Sequence, residues 1–301
     1  MNRRTFLRRL GMAAAALAWP ALAPASLAAG PSIPADWIVA EEDIESIAAR
    51  LRGGRTSGWH TLPFGASVAA YAHSFLGTPY LAHSLDDTGA ERLMINLQGL
   101  DCLTLTETSL ALARTLRIGG RGVHQYAQQL TFIRDRGGHR AGYPSRLHYF
   151  EDWLEDNAAR THLQLLSADL GGEVLAKAER WMSTHRDDYP VLARDDAALA
   201  AIAAQEEQIN ARQRYYVPKE RIAEAADRIE SGDILGLTTA RADLIVGHVG
   251  LAYRTDDGVL RLLHEPNVGY SAMFSDGPLA DYLMSLPQFT GAMIARPIWP
   301  R

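Results

Sequence analysis

The sequence predicts an α+β fold in which helices come first and an antiparallel sheet comes last. Helical patterns fill much of the chain before Gly232, whereas short apolar runs follow it. Four of these runs are typical of strands: 234–237, 244–253, 259–264 and 292–298. Two of them are separated by Asp257-Gly258, a strong hairpin signal. Helices followed by consecutive strands favour an α+β domain with an antiparallel sheet.

The elements before the sheet are predicted from apolar spacing and from residues that begin or end helices. Ile44, Ile47 and Leu51 have helical spacing until Gly53-Gly54 breaks it. Residues 92–97 have the composition of a strand. We expect Pro218 to open the last helix of the stretch 173–230. The other helix candidates are 64–76, a helix from Asp101 through Leu116, 123–134, 146–158 and the earlier part of 173–230.

The composition bounds the class of protein. The 301 residues are 47% hydrophobic, and 35 acidic residues outnumber 30 basic ones. The chain is therefore long and apolar enough to form the hydrophobic core of one large domain. Nucleic-acid binding is disfavoured, because nucleic-acid-binding proteins usually have more basic than acidic residues. The single cysteine, Cys102, excludes an internal disulfide framework and a cysteine-based zinc cluster.

Residues 1–28 resemble an export signal of the twin-arginine type. Arg3-Arg4 is followed by an apolar run from Leu10 to Trp19 and then by small residues. The alternative is a retained anchor, but ten apolar residues fall short of the roughly 20 that span a bilayer. We therefore expect export to the periplasm, a mature product that is soluble, and a single domain over 29–301.

Cys102 is expected in the first turn of the helix that Asp101 caps. Unpaired backbone N–H groups and the positive helix end would favour a thiolate there and lower the thiol pKa from about 8.5. The stripe that begins with Cys102 and continues with Leu105 and Ser109 should face the packed side of the helix. The alternative is that Cys102 is only a small buried apolar residue.

Two histidines, His248 and His264, lie on the strands of the predicted hairpin. A three-residue loop with Gly258 in a bulge would pair His248 with His264 and put both imidazoles on one face, whereas a two- or four-residue loop would separate them. On one face, one imidazole can take the thiol proton while the other orients it. The alternatives are two unrelated histidines or a metal site, but no H-E-x-x-H spacing and no third ligand is evident.

At these residues the chain resembles the NlpC-type cell-wall cysteine peptidases of the papain-like superfamily. The matching motifs are Asp101-Cys102, His248-Val249-Gly250, His264 and the segment 77–80 that ends in Tyr80. The resemblance is closer to the N-acetylmuramoyl-L-alanine amidase-like branch, with further similar segments at 93–97, 145–153 and 216–220. It covers roughly residues 64–300 and departs from the usual small pair after the last histidine, where this chain has Glu265-Pro266.

The resemblance implies a papain-like fold, with the nucleophile at a helix N-terminus packed on the sheet and a helical insertion over about 123–230. It implies that Cys102 is the nucleophile, His248 the base and His264 the orienting residue, and that the substrate is peptidoglycan or a muropeptide. The candidate substrate-binding residues are Tyr80, Asn96, Asp101, Arg146 and His148. No cofactor and no metal is expected. The alternatives are a γ-D-glutamyl-diamino-acid endopeptidase, an acyl transferase and a non-catalytic wall-binding domain.

Overall fold

The protein is described here by a computed structural model that covers residues 32–86, 90–267 and 271–299. Residues Ala35–Arg301 form a compact unit. The export signal expected at residues 1–28 lies outside the described residues. Within the described ranges, none of the helices is both long and apolar enough to cross a membrane.

The helices pack on one another and on both faces of a sheet. The longer helices of the first half of the chain share the main core with Val249 and Leu251, whereas two short helices, which contain Ile222 and Leu279, pack on the opposite face of the sheet. The helix bounds are α1 Glu41–Thr56, α2 Phe64–His73, α3 Cys102–Arg117, α4 Val123–Arg134, α5 Phe150–Ala159, α6 Trp181–Thr184, α7 Asp196–Asn210, α8 Ile222–Ala225 and α9 Leu279–Met284.

The main sheet is antiparallel, as predicted, in the order β4-β5-β10-β6-β7-β8-β9, with β3 also paired to β10. A separate parallel pair joins β1 to β2. The strand bounds are β1 Trp37–Val39, β2 Leu93–Ile95, β3 Leu163–Leu165, β4 Glu173–Val174, β5 Tyr215–Pro218, β6 Ile234–Thr239, β7 Val246–Arg254, β8 Leu260–His264, β9 Met273–Phe274 and β10 Phe289–Pro297.

Helix α3 begins where the sequence predicted and runs along the sheet. The Asp101 side chain accepts a hydrogen bond from the Thr104 N–H at 2.8 Å, and the Thr104 hydroxyl accepts one from the Asp101 N–H. This reciprocal cap satisfies two backbone donors that a helix start would leave unpaired. The cap therefore fixes the position of Cys102 in the first turn.

The predicted insertion is less helical than its composition indicated. The stretch 173–230 contains β4 and β5 as well as helices. Pro218 is the last residue of β5, and it also opens the last helical segment as predicted, because a 3₁₀ turn over Lys219–Arg221 follows it and leads into α8. The aromatic and branched residues Tyr215, Tyr216 and Val217 suit a strand, and they pair with β4 and β10. The tertiary pairing thus outweighs the helical composition of the flanking residues.

The hairpin of β7 and β8 has the predicted three-residue loop but not the predicted pairing. Gly258 has a φ of +83°, and His264 lies opposite Gly250 instead of His248. The pairing moves by two residues because Thr255 and Val259 close the loop directly. A shift of two preserves the face of every side chain, so both histidines still lie on one side of the sheet.

Gly250 leaves the space in which the two histidines meet, so replacing it with alanine is expected to destabilise the protein. A Cβ there would lie 2.8 Å from Leu262 Cδ1 and 3.0 Å from His264 Cβ. We expect Gly250→Ala to lower the free energy of unfolding by about 1–3 kcal/mol, measured by urea titration. The matched control is Gly53→Ala in α1, where nothing lies within 4 Å and where a gain of about 0.5–1 kcal/mol is expected. Equal effects of the two variants would contradict the packing argument.

Candidate active site

Cys102 is half-buried at the start of α3, and its surroundings differ from the sequence expectation. Burial raises the pKa of the thiol to about 12, and the Asp101 carboxylate acts in the same direction. Hydrogen bonds to the sulfur from the backbone of Val249, Leu103 and Cys102 itself lower the pKa but do not offset the burial. The prediction of a lowered thiol pKa was therefore wrong, since desolvation outweighs the helix end. Cys102 is a neutral thiol at neutral pH.

His248 and His264 form a direct hydrogen-bonded pair. His248 Nε2 lies 2.7 Å from His264 Nδ1, and the rings meet edge to face with their centroids 5.0 Å apart. Burial lowers the pKa of His248 to about 4, and burial together with His248 lowers the pKa of His264 to about 3. Both imidazoles are therefore neutral at neutral pH, so one ring must donate to the other.

A bulge in β7 sets the position of His248. His248 pairs with Leu237 while Val246 pairs with Thr238, so Gly247 is an extra residue in the strand. A Cβ on Gly247 would lie 2.5 Å from Thr239 Cγ2, which makes glycine necessary in this close approach. Bulges commonly redirect a side chain beside an active site. The bulge lies immediately before the histidine that the sequence singled out.

Cys102 and His248 line the same two cavities. One cavity, of about 320 Å³, extends towards the insertion, where Tyr143, Trp181 and Tyr189 form part of its wall. The other, of about 680 Å³, extends towards Tyr80 and Glu265. The fold therefore brings together two residues that are far apart in the sequence, with room for a ligand on either side of them.

Tyr80 and Asp101 lie beside the cysteine. Tyr80 is half-buried in the larger cavity. Burial raises the pKa of its hydroxyl, and the negative charges of Cys102, Asp101 and Glu265 in their ionised forms act in the same direction. Asp101 lines the smaller cavity. Its Oδ1 caps α3, and its Oδ2 accepts a hydrogen bond from Ser84 at 2.9 Å. Tyr80 keeps a free path to a ligand, whereas Asp101 is occupied by structural hydrogen bonds.

Arg146 and His148 line the smaller cavity, but both are engaged by protein groups. Arg146 is buried and pairs with Glu91 at 3.1 Å, and its guanidinium lies over the Tyr143 ring. His148 Nε2 donates to the carbonyl oxygen of Tyr143 at 2.9 Å, and burial holds its pKa well below the usual value. The Nε2 proton of His148 is therefore engaged within the protein, and Glu91 partly neutralises the charge of Arg146.

Asn96 lies away from the two cavities that contain Cys102. Its Oδ1 accepts hydrogen bonds from the backbone N–H groups of Gln98 and Gly99, at 2.8 and 3.1 Å. It lines two other depressions instead. Asn96 thus shapes the turn that leads to Asp101.

Glu265 and Arg241 line the larger cavity, and neither was among the predicted site residues. Glu265 is fully buried, and its carboxyl oxygens have no hydrogen-bond partner in the described part of the chain. Burial, and after it Asp101, raises its pKa to about 8, so the group is largely protonated at neutral pH. Its position directly after His264 was the available signal. Arg241 carried no signal, because only the β6–β7 loop brings it to the cavity.

Across the ranges 32–86, 90–267 and 271–299, no group of three or more histidine, cysteine or acidic side chains could hold a metal ion. The His248–His264 pair has its nitrogens directly bonded to each other, which suits proton handling.

The chain is similar to known proteins in sequence and in fold. The AmiA-like family model, described as N-acetylmuramoyl-L-alanine amidase-like, matches residues 70–291. An N-acetylmuramoyl-L-alanine amidase from Bacteroides uniformis is 30% identical, covers 78% of this chain and 99% of its own, and superposes with a TM-score of 0.74. No curated protein sequence matches the chain.

Two other solved structures share the architecture. A Bacteroides fragilis structure named as a xylanase is 30% identical, covers 75% of this chain and 99% of its own, and has a TM-score of 0.71. Protein LPG0564 of Legionella pneumophila is 17% identical, with a TM-score of 0.64 over 86% of this chain and 95% of its own, which shows the fold alone. The family match spans most of the chain and includes the cysteine and both histidines. The chain therefore belongs to the N-acetylmuramoyl-L-alanine amidase-like family.

Proposed function

We propose that the protein is a cysteine-dependent amidase that hydrolyses the bond between N-acetylmuramic acid and L-alanine in peptidoglycan or muropeptides. The observation that carries the proposal is that Cys102, in the first turn of α3, lines the same two cavities as His248, which is hydrogen-bonded to His264. Family membership supports amide hydrolysis in the cell wall. The export signal expected at residues 1–28 supports action in the periplasm, where such a substrate is found.

The proton path follows from the hydrogen bond between the histidines. For His248 Nδ1 to act as the base, the proton of the neutral ring must be on Nε2, which then donates to His264 Nδ1. His248 takes the thiol proton as the sulfur attacks the carbonyl, and it returns that proton to the leaving amine. Water then resolves the thioester. Because both groups are neutral before attack, proton transfer accompanies the chemical step.

The oxyanion of the tetrahedral intermediate requires hydrogen-bond donors close to the sulfur. The backbone N–H of Cys102 lies at the helix start, where intrahelical partners are missing. The Tyr80 hydroxyl lines the same cavity as the thiol and keeps its proton at neutral pH, since its pKa is raised. One such donor is worth roughly 3–4 kcal/mol of barrier.

The test is a digest of purified muropeptides, with the products identified by mass spectrometry. Release of the whole stem peptide by the wild type, with none released by Cys102→Ala, is the expected result. A truncated stem would show an endopeptidase that cuts after the γ-D-glutamyl residue, and transfer to an added amine would show an acyl transferase. Intact substrate, or cleavage of xylan without cleavage of muropeptides, would overturn the proposal.

A further inference from the structure

Arg241 is an exposed arginine on the β6–β7 loop, at the wall of the larger cavity that contains Cys102. Its guanidinium carbon lies 4.0 Å from the centroid of the Trp181 ring. Among the described residues no carboxylate forms an ion pair with it. A guanidinium that is stacked but has no acidic partner keeps its fork of N–H donors available.

The loop that carries Arg241 is held by the side chains of Thr239 and Lys177. The Thr239 hydroxyl donates to the Leu244 carbonyl at 2.6 Å and accepts from the Arg241 N–H at 3.1 Å. The Lys177 ammonium donates to the Thr239 carbonyl at 2.7 Å. Arg241 is therefore presented from a braced loop, so little entropy is lost when a ligand binds it.

The lining of the larger cavity offers an anion one cation, Arg241. Lys177 lines a neighbouring depression together with Arg241, but Glu179 and Asp243 lie close enough to Lys177 to offset part of its charge. The acidic residue on the cavity lining, Glu265, is largely protonated at neutral pH and therefore repels an anion weakly. Planar, bidentate recognition by arginine suits a carboxylate.

We propose that Arg241 forms a subsite for a free carboxylate on the peptide part of the substrate. This inference rests on the proposed function and adds a substrate class to it: stem peptides whose γ-linked glutamyl residue keeps its α-carboxylate, in preference to those in which it is amidated. It assigns carboxylate recognition to Arg241, whereas the candidate substrate-binding residues Arg146 and His148 already contact Glu91 and the Tyr143 carbonyl.

The experiment compares two muramoyl-L-alanyl-D-glutamyl dipeptides whose γ-carboxyl group is amidated in both, one with a free α-carboxylate and one with an α-amide. We expect the wild type to favour the free carboxylate about tenfold in kcat/KM, through KM, and Arg241→Met to bring the ratio of the two kcat/KM values close to one. Methionine retains an apolar stem over Trp181, and Arg241→Lys should keep part of the preference. The matched control is Arg50→Met, which removes an arginine stacked on Phe75 outside both cavities.

Each outcome decides a separate point. An equal loss on both substrates would show that Arg241 only supports the cavity wall, and an unchanged preference would show that the carboxylate binds elsewhere; both overturn the subsite. Calorimetric binding of the two free dipeptides separates this question from the activity. Tighter binding of the free-carboxylate dipeptide to the wild type than to Arg241→Met, without cleavage of either substrate, would sustain the subsite while the proposed function fails.

Discussion

Cys102→Ser is expected to lower kcat by about 10⁴-fold or more, with little effect on folding. The replacement keeps the shape of the side chain but offers His248 a hydroxyl, whose proton is harder to remove than that of a thiol. Groups that act as one catalytic unit lose most of their rate when any member is lost. Rates of muropeptide hydrolysis under single-turnover conditions measure the effect, and thermal unfolding of the variant checks that the fold is intact.

A second measurement tests the protonation state of the thiol directly. A thiol whose pKa is raised to about 12 is almost entirely protonated at pH 7. Its alkylation by iodoacetamide should be slow at pH 7 and rise close to tenfold for each pH unit up to pH 9, because the thiolate is the reactive form. Fast, pH-independent alkylation would reveal a stable thiolate–imidazolium pair and contradict the neutral pair. Full activity of Cys102→Ser would remove the cysteine mechanism altogether.

The fold could be predicted where local patterns agree with tertiary packing. Asp101 and Thr104 mark the start of α3 by their own chemistry, so that boundary was predicted to the residue. Strand β5 was missed because its pairing partners, β4 and β10, are distant in the sequence. An Ala- and Glu-rich composition indicates helix propensity, whereas the formation of a two- or four-residue strand depends on the strands with which it pairs.

The site was predictable in its residue types and faces but not in its electrostatics. The alternation of side chains together with a three-residue loop placed His248 and His264 on one face, even with the pairing two residues in error. The pKa of Cys102 depends on how much protein covers the thiol, and the sequence does not contain that quantity. Arg241 and Glu265 were missed for the same reason, since a loop and a strand end meet only in the folded chain.

His248→Gln is expected to lower kcat by about 10²–10⁴-fold, because the side chain can still form hydrogen bonds but cannot accept the thiol proton. In the wild type the base is active only in its neutral form. Since burial lowers the pKa of His248 to about 4, activity should persist as the pH falls through 6.5 and decline only near pH 4. A profile of kcat/KM against pH measures this limit, which belongs to the free enzyme.

The matched control is His73→Gln, which removes a histidine that stacks on Tyr253 outside both cavities and should leave the rate unchanged. A further test concerns the hydrogen bond between the two rings, in which His248 Nε2 lies 2.7 Å from His264 Nδ1. His264 fixes the tautomer of His248 only if His264 Nδ1 accepts the proton on His248 Nε2. His264→Asn or His264→Gln can supply an acceptor oxygen at this place and should retain more rate than His264→Ala. An acid limit near pH 6.5 in the wild type would mean that substrate-free His248 is solvated, and the buried base would then be the wrong description of how this site works.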